Sequence, residues 1–189
     1  MTLTLASTSA IRRQMLDAAG VSYEARQPGV DEQALKAKLK GAAEIAAALA
    51  KAKALSLSAP WVIGSDSVVE CNDRLFDKPR SRDEAAEHLR YFSGRTMRLT
   101  SAVALARDGQ LDWAHHETAL LHVRPLSERF LADYLDAEWP EVGYTVGVFR
   151  LEGRGVQLFD RIEGDHFTIL GMPLLPLLGA LRERGLLPK

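Results

Sequence analysis

Apolar positions recur along this chain with two different periods, and each change of period marks a place where strand gives way to helix. Residues 2–5 read as a short strand. Ile11, Met15, Leu16 and Ala19 then repeat at helical spacing behind Ser9, a good N-cap, and stop at Gly20. An extended segment over 21–27 leads to Asp31, where an alanine- and lysine-rich helical stretch begins. It breaks at Gly41 and resumes over 42–57, with Ile45, Leu49 and Ala52 as its apolar stripe. Residues 61–69 read as a strand, and Asn72-Asp73 as a turn leading through Leu75 and Phe76 into Lys78-Pro79. Ser81-Arg82-Asp83-Glu84 is a capping box, opening a helix through Tyr91 that Ser93-Gly94 closes. Residues 97–106 and 111–124 flank Asp108-Gly109 and predict a long hairpin. Ser127 caps a further helix ending near Asp136. Strands are expected over 144–151 and 155–162, and a terminal helix over 174–184. Adjacent strands are too frequent for a doubly wound parallel sheet, so the pattern predicts an α/β fold with a mixed sheet flanked by helices, and no internal repeat.

Composition narrows the partners. With 189 residues, 47% hydrophobic and 26% charged, the chain can bury one generous core or two closely joined lobes, and disorder is excluded. A formal net charge of -1 gives no global pull toward nucleic acid or an anionic membrane, so an anionic ligand must be captured by local charge. The expected partner is therefore a small molecule. Arginines interrupt residues 1–14 before any signal-like apolar run develops, and no stretch is apolar for long enough to span a bilayer. Cys71 is the lone cysteine, so no internal disulfide can form, and the expectation is a cytoplasmic protein.

Three places carry candidate chemistry. Ser7, Thr8, Ser9, Arg12 and Arg13 fall at a predicted strand-to-helix junction. Cations in a first helical turn oppose the macrodipole at a cost of roughly 0.3 to 1 kcal/mol each, a loss that a phosphate seated on the exposed amides would explain. A solvated basic helix start is the other reading. Asp66 shares a strand face with Val62, Gly64 and Val68, where a carboxylate is poorly solvated and needs a partner: a magnesium ion, a polarised water, or a lysine such as Lys78 returning across the turn. Its alternative is an Asp that only caps a neighbouring turn. Gly64 and Ser65 before it are small and would leave room for a ligand. Asp31-Glu32 follows Pro28-Gly29 at a helix start, where capping is the default and metal binding needs a second carboxylate such as Asp66. Lys51 and Lys53 lie on a helix where lysine is usually a solvated face residue, and the pattern barely prefers either for binding. No GxxxxGK[ST], GxGxxG or GxSxG is present, His115-His116-Glu117 lacks zinc spacing, and Cys71 without a placed base reads as structural.

Leu5-Ala6-Ser7-Thr8-Ser9 with Arg12, Val30-Asp31-Glu32, Leu49-Ala50 followed by Lys53-Ala54, Gly64-Ser65-Asp66-Ser67-Val68-Val69, Lys78-Pro79, Leu89 to Ser93-Gly94, and Ile162-Glu163-Gly164 through Gly171-Met172-Pro173-Leu174 closely resemble the Maf family of nucleoside triphosphate pyrophosphatases. The match spans nearly the whole chain. The resemblance implies a single domain over 1–189, with an elongated α/β fold related to the inosine triphosphate pyrophosphatases, two lobes around a central cleft, and a homodimer. It also implies cleavage between the α- and β-phosphates with a divalent cation, Mg2+ or Mn2+. Carried over position by position, Ser7 and Arg12 would hold phosphate, Lys53 and Lys78 would neutralise it, Glu32 and Asp66 would position the metal, and Asp66 would be the general base.

Specificity positions depart from the family pattern. Ala10-Ile11 stands where Pro-Arg is usual, Ser67 where pyrimidine-type members resemble Thr, and Thr145-Val146-Gly147 where Lys-Ala-Gly is usual. Glu152, with Gly147, Phe149, Gly153 and the Leu158 to Gly164 stretch, is similar to the branch acting on 7-methyl-GTP, although that branch carries Trp and Gln at the Ile11 and Ser67 places. The resulting expectation is an enzyme that removes a modified or surplus nucleotide, 7-methyl-GTP-like ahead of dTTP or UTP. A nucleotide-binding regulator of septum formation with little hydrolysis is the alternative, and a domain that merely binds phosphate at the N-terminal junction is the third.

Overall fold

In the computed structural model, which describes residues 2–189, the chain runs β1 (Leu3–Ala6), α1 (Ala10–Ala18), β2 (Glu24–Arg26), α2 (Glu32–Lys36), α3 (Ala42–Leu55), β3 (Trp61–Cys71), β4 (Arg74–Phe76), α4 (Arg82–Phe92), β5 (Thr96–Arg107), β6 (Gln110–Val123), α5 (Glu128–Glu138), β7 (Phe159–Glu163), α6 (His166–Leu170) and α7 (Leu174–Glu183). The strands form a mixed α/β sheet in the order β2-β1-β3-β5-β6-β7, with β4 paired to β3. Residues divide into two compact units. The first holds Met1–Ser67, Thr100–Thr118 and Asp165–Lys189, and the second Val68–Leu99 and Ala119–Gly164.

The first unit is built on parallel pairing. Thr4 to Ala6 lie beside Glu24 to Arg26 of β2 on one side, and Leu3 to Ala6 lie beside Trp61 to Gly64 of β3 on the other. The chain thus leaves β1 through α1 to one neighbour and returns through α2 and α3 to the other, which makes the carboxyl end of β1, beside the middle of β3, a topological switch point. Leu5, Leu16, Ile63, Val103, Leu105, Leu177 and Leu181 form its core. Gly64 is required by packing: a Cβ there would lie 2.2 Å from the Ala50 carbonyl oxygen and 2.3 Å from the Ala54 nitrogen of α3. The residue's smallness therefore seats α3 on the sheet, and it does not open room for a ligand as its place in the sequence suggests.

In the second unit, β4 pairs antiparallel with the end of β3 across Asn72 and Asp73, both at positive φ as a type I′ turn demands. The β5–β6 hairpin turns the same way at Asp108 and Gly109, in the first unit. Ser81 accepts from the Glu84 N–H and Ser127 from the Phe130 N–H, as their positions predict, although the Glu84 carboxylate reaches the Arg80 N–H rather than completing the box.

One further expectation fails and another is met only in part. Residues 144–151 are not a strand: Glu141–Tyr144 is a 3-10 turn, and the following stretch is irregular down to Arg154–Leu158, another 3-10 turn, before β7. Tyr, Thr, Val and Phe there carry β propensity, but Gly147 and a left-handed Val148 break the pleat. Ser9 occupies the N-cap position of α1 without a side-chain bond. The Ser7 hydroxyl instead accepts from the Ser9 N–H at 3.1 Å.

Candidate active site

Past Ala6 the β1 backbone turns sharply, with the Ser7 N–H donating to the Leu5 carbonyl, while β3 runs on through Ser65, Asp66 and Ser67. The carboxyl end of β1, the start of α1 and this part of β3 therefore meet, and side-chain alternation along β3 distributes two sets of contacts.

Asp66 follows Gly64 on the α3 face. Lys53, in the last turn of α3, donates to Asp66 Oδ1 at 2.5 Å and lies 2.7 Å from Glu32 Oε1, at the first residue of α2. Asp31 caps α2 by accepting from the Ala34 N–H, which aims its neighbour Glu32 at α3. The side chains of Lys53 and Asp66 are 8% and 10% exposed and that of Glu32 is 44% exposed, so the ammonium is sequestered with one buried and one half-open carboxylate. Lys53 is thus no solvated face residue. α3 is apolar almost all round, and a lysine near its end must bury its stem and find a counter-charge.

Ser65 and Ser67 take the other face. The Gly171 carbonyl accepts from Ser65 Oγ at 3.1 Å, Ser67 Oγ at 3.1 Å and Arg12 Nε at 2.9 Å. Gly171 ends α6 at φ 115, a left-handed geometry that glycine adopts without strain, and this aims its carbonyl at all three donors. Arg12 Nη2 donates to Ser67 Oγ at 3.1 Å. Ser67 Oγ also lies 2.8 Å from Ser101 Oγ, whose own proton goes to the Thr168 carbonyl at 2.7 Å. Burial lowers the pKa of Arg12, while attraction to Asp66 and Glu32 raises it, so the guanidinium lies within electrostatic reach of both carboxylates. Asp66 and the Arg12 junction thus belong to one constellation.

Ser7, Arg12, Glu32, Lys53, Asp66, Ser67 and Ile11 all fall in the first unit, whereas Lys78 and Glu152 fall in the second, both exposed. Gly171, which bonds Arg12 directly, and Ser65 and Ser101, which bond Gly171 and Ser67, escaped the sequence reading. The available signal was hydroxyls set among apolar residues in buried strands, where each needs an acceptor. Cys71 is buried, and burial pushes its thiol up, the opposite of an activated nucleophile. The site's carboxylates suit a divalent cation chemically. Glu32 and Asp66 oxygens touch the same nitrogen, so both can reach one small cation, and two carboxylates are what magnesium commonly takes alongside phosphate and water. No group of three or more His, Cys, Asp or Glu side chains gathers as a metal site among the described residues.

A mixed α/β fold with paired cations and carboxylates at a switch point defines a protein suited to phosphorylated ligands. Residues 2–184 match the family described as Maf-like protein, and the chain belongs to that family. It is 48% identical to a 7-methyl-GTP pyrophosphatase of Rhizobium etli, covering 97% of this chain and 96% of that one. It is 48% identical to a nucleoside triphosphate pyrophosphatase of Sphingopyxis alaskensis over the whole of both chains. A nucleoside triphosphate pyrophosphatase of Nitrobacter hamburgensis is 49% identical, covering 98% of this chain and 95% of its own. The solved nucleoside-triphosphatase / dITP/XTP pyrophosphatase of Mycobacterium abscessus aligns over 100% of this chain and 98% of that chain at 14% identity, with a TM-score of 0.45.

Proposed function

We propose that this chain is a nucleoside triphosphate pyrophosphatase that hydrolyses the phosphoanhydride between the α- and β-phosphates, releasing the monophosphate and pyrophosphate. The observation that carries the reading is the constellation of Arg12, Lys53, Asp66 and Glu32 where the carboxyl end of β1 meets the middle of β3. Such a hydrolysis needs no protein nucleophile; it needs neutralised phosphate oxygens and an aligned water.

In this reading the first amides of α1, the Ser7 hydroxyl and the uncommitted N–H groups of Arg12 take phosphate oxygens. Gly171 and Ser67 hold the guanidinium in place, so little of its freedom is lost on binding. The triphosphate competes with the carboxylates for the Lys53 ammonium and so releases Asp66 Oδ1. Lys78 adds a second ammonium. Asp66 then takes a proton from the attacking water as its oxygen bonds to phosphorus and the bridging P–O bond breaks. Glu32 and Asp66 would hold Mg2+ or Mn2+, which supplies charge neutralisation on the phosphate oxygens when bound.

Among bases, a modified purine of the 7-methyl-GTP type is preferred over dTTP and UTP. Relatives in Rhizobium etli and Rhizobium meliloti carry that substrate in their names. The exposed Glu152 carboxylate can accept hydrogen bonds from a guanine edge and offset a methylated base's positive charge, with Ile11 and Ser67 as the other specificity positions. A homodimer and a cytoplasmic location complete the proposal. Cys71 is a free thiol, and among the described residues no helix is long and apolar enough to cross a membrane.

The test is a panel of ordinary and modified nucleoside triphosphates incubated with Mg2+ or Mn2+, with pyrophosphate and orthophosphate quantified separately. Pyrophosphate equal to the monophosphate formed, fastest from 7-methyl-GTP, is the expected result. Orthophosphate as the first product, or binding without turnover, overturns the proposal.

A further inference from the structure

Glu138 ends α5 buried, a position where a carboxylate opposes the helix dipole and loses solvation. Its two oxygens are spent on one short segment of the second unit. Oε2 accepts from Arg150 Nη2 at 3.2 Å, and Oε1 from the Arg154 N–H at 3.4 Å. Between those anchors the Gly153 N–H donates to the Arg150 carbonyl at 3.1 Å, which closes a turn with Leu151 and Glu152 at its centre. The fit is tight: a Cβ at Gly153 would lie 3.2 Å from Glu138 Oε2, and one at Gly155 only 2.5 Å from the Arg150 carbonyl oxygen. One helical turn earlier, the Tyr134 hydroxyl donates to the Val148 carbonyl at 2.9 Å.

Energetic costs concentrate in the same place. Val148, a β-branched residue, sits at φ 55, and Arg150 Nε is buried with no hydrogen-bond partner among the described residues. Strain and unspent donors persist where the surroundings over-determine a geometry, and they gather at functional sites. Between the two anchors the exposed residue is Glu152, the base-specificity position of the proposed reading.

We infer that Glu138, assisted by Tyr134, is the positioning residue that mounts the Glu152 turn and so sets the base preference of the enzyme. The inference rests on the pyrophosphatase reading. Glu138 acts through Arg150 and the Arg154 amide and need not touch the nucleotide. In Glu138→Gln the amide nitrogen confronts an N–H donor at one anchor, so the turn loosens while the side chain keeps its size.

The experiment measures kcat/KM for 7-methyl-GTP and for UTP in the wild type, Glu138→Gln, Glu152→Gln, the double variant and Tyr134→Phe, with circular dichroism on each. The ratio of the two constants is expected to fall about tenfold in either Glu variant, mainly through KM for 7-methyl-GTP, and no further in the double variant, because both changes disable one device. Tyr134→Phe should shift the ratio the same way by less, and it decides the matter if Glu138→Gln fails to fold. An unchanged ratio, equal loss toward both nucleotides, additive losses in the double variant, or a wild type indifferent to the base overturns the inference and leaves the activity standing. A wild type that releases pyrophosphate from neither nucleotide overturns the inference, and one that releases it from no nucleotide of the wider panel overturns the activity as well.

Discussion

Replacing Lys53 by Met tests the ammonium at the centre of the site, because Met matches the stem's length and removes only the charge and its donors. Nζ holds Asp66 at 2.5 Å and Glu32 at 2.7 Å, so its loss leaves two neighbouring carboxylates without their shared counter-ion. Breaking a buried pair by deleting one partner costs about 3–5 kcal/mol. Glu32, 44% exposed at its side chain, can return to water, and Arg12 lies within reach of both carboxylates, so the low end, about 3 kcal/mol, applies. For a chain of this size that corresponds to a fall in Tm of about 6–12 °C. Thermal unfolding by circular dichroism in buffer free of divalent cations is the assay, with hydrogen exchange of α3 to locate the loss. Asp66→Asn should cost less, about 1–2 kcal/mol, since the amide oxygen still accepts from Lys53 and Glu32 keeps the ammonium paired. A Tm within about 2 °C of wild type for Lys53→Met, where even 1 kcal/mol should show, or a larger loss for Asp66→Asn, would mean that the ammonium does not hold these carboxylates together.

Gly64→Ala should fail to accumulate as folded protein or lose more than about 4 kcal/mol in urea titration, because its Cβ meets α3 backbone that cannot move aside. Ser101→Ala removes the donor to the Thr168 carbonyl and a neighbour of Ser67, and should cost about 1–2 kcal/mol in the same titration while raising KM for the triphosphate through a looser Arg12. His88 is buried against Phe76, and burial lowers its pKa below 6.5. The unfolded chain therefore binds the proton more readily, so stability should decline as pH falls from 6.5 through the lowered value, and His88→Leu should flatten that decline in melts taken from pH 7 to pH 5.

Features set by a few adjacent residues were legible in the sequence. Asn72-Asp73 and Asp108-Gly109 demand left-handed turns, and the Ser81 and Ser127 caps are read from residues one turn apart. Asp66 stood out because a carboxylate in an apolar strand must be compensated. What compensates it was not legible from local pattern: Lys53 is one of several lysines in an alanine-rich stretch, and only the seating of α3 on Gly64 buries it. Family resemblance supplied that residue; periodicity did not. The segment over 144–151 misled because propensity favours a strand, whereas tertiary bonds from Tyr134 and Glu138 impose an irregular path on 148–154. Gly171 lies far from Arg12 in the chain and Ser101 far from Ser67, and their meeting is a property of the folded sheet.

As general base, Asp66 would work on a triphosphate held by the Arg12 junction, so its loss should spare binding and stop release. Pyrophosphate release in a single turnover by Asp66→Asn, alongside nucleotide binding by calorimetry on the same folded sample, tests it most directly. Release slowed at least about a hundredfold with binding retained is the predicted result. Release within about threefold of wild type, when removal of a general base should cost far more, would contradict it.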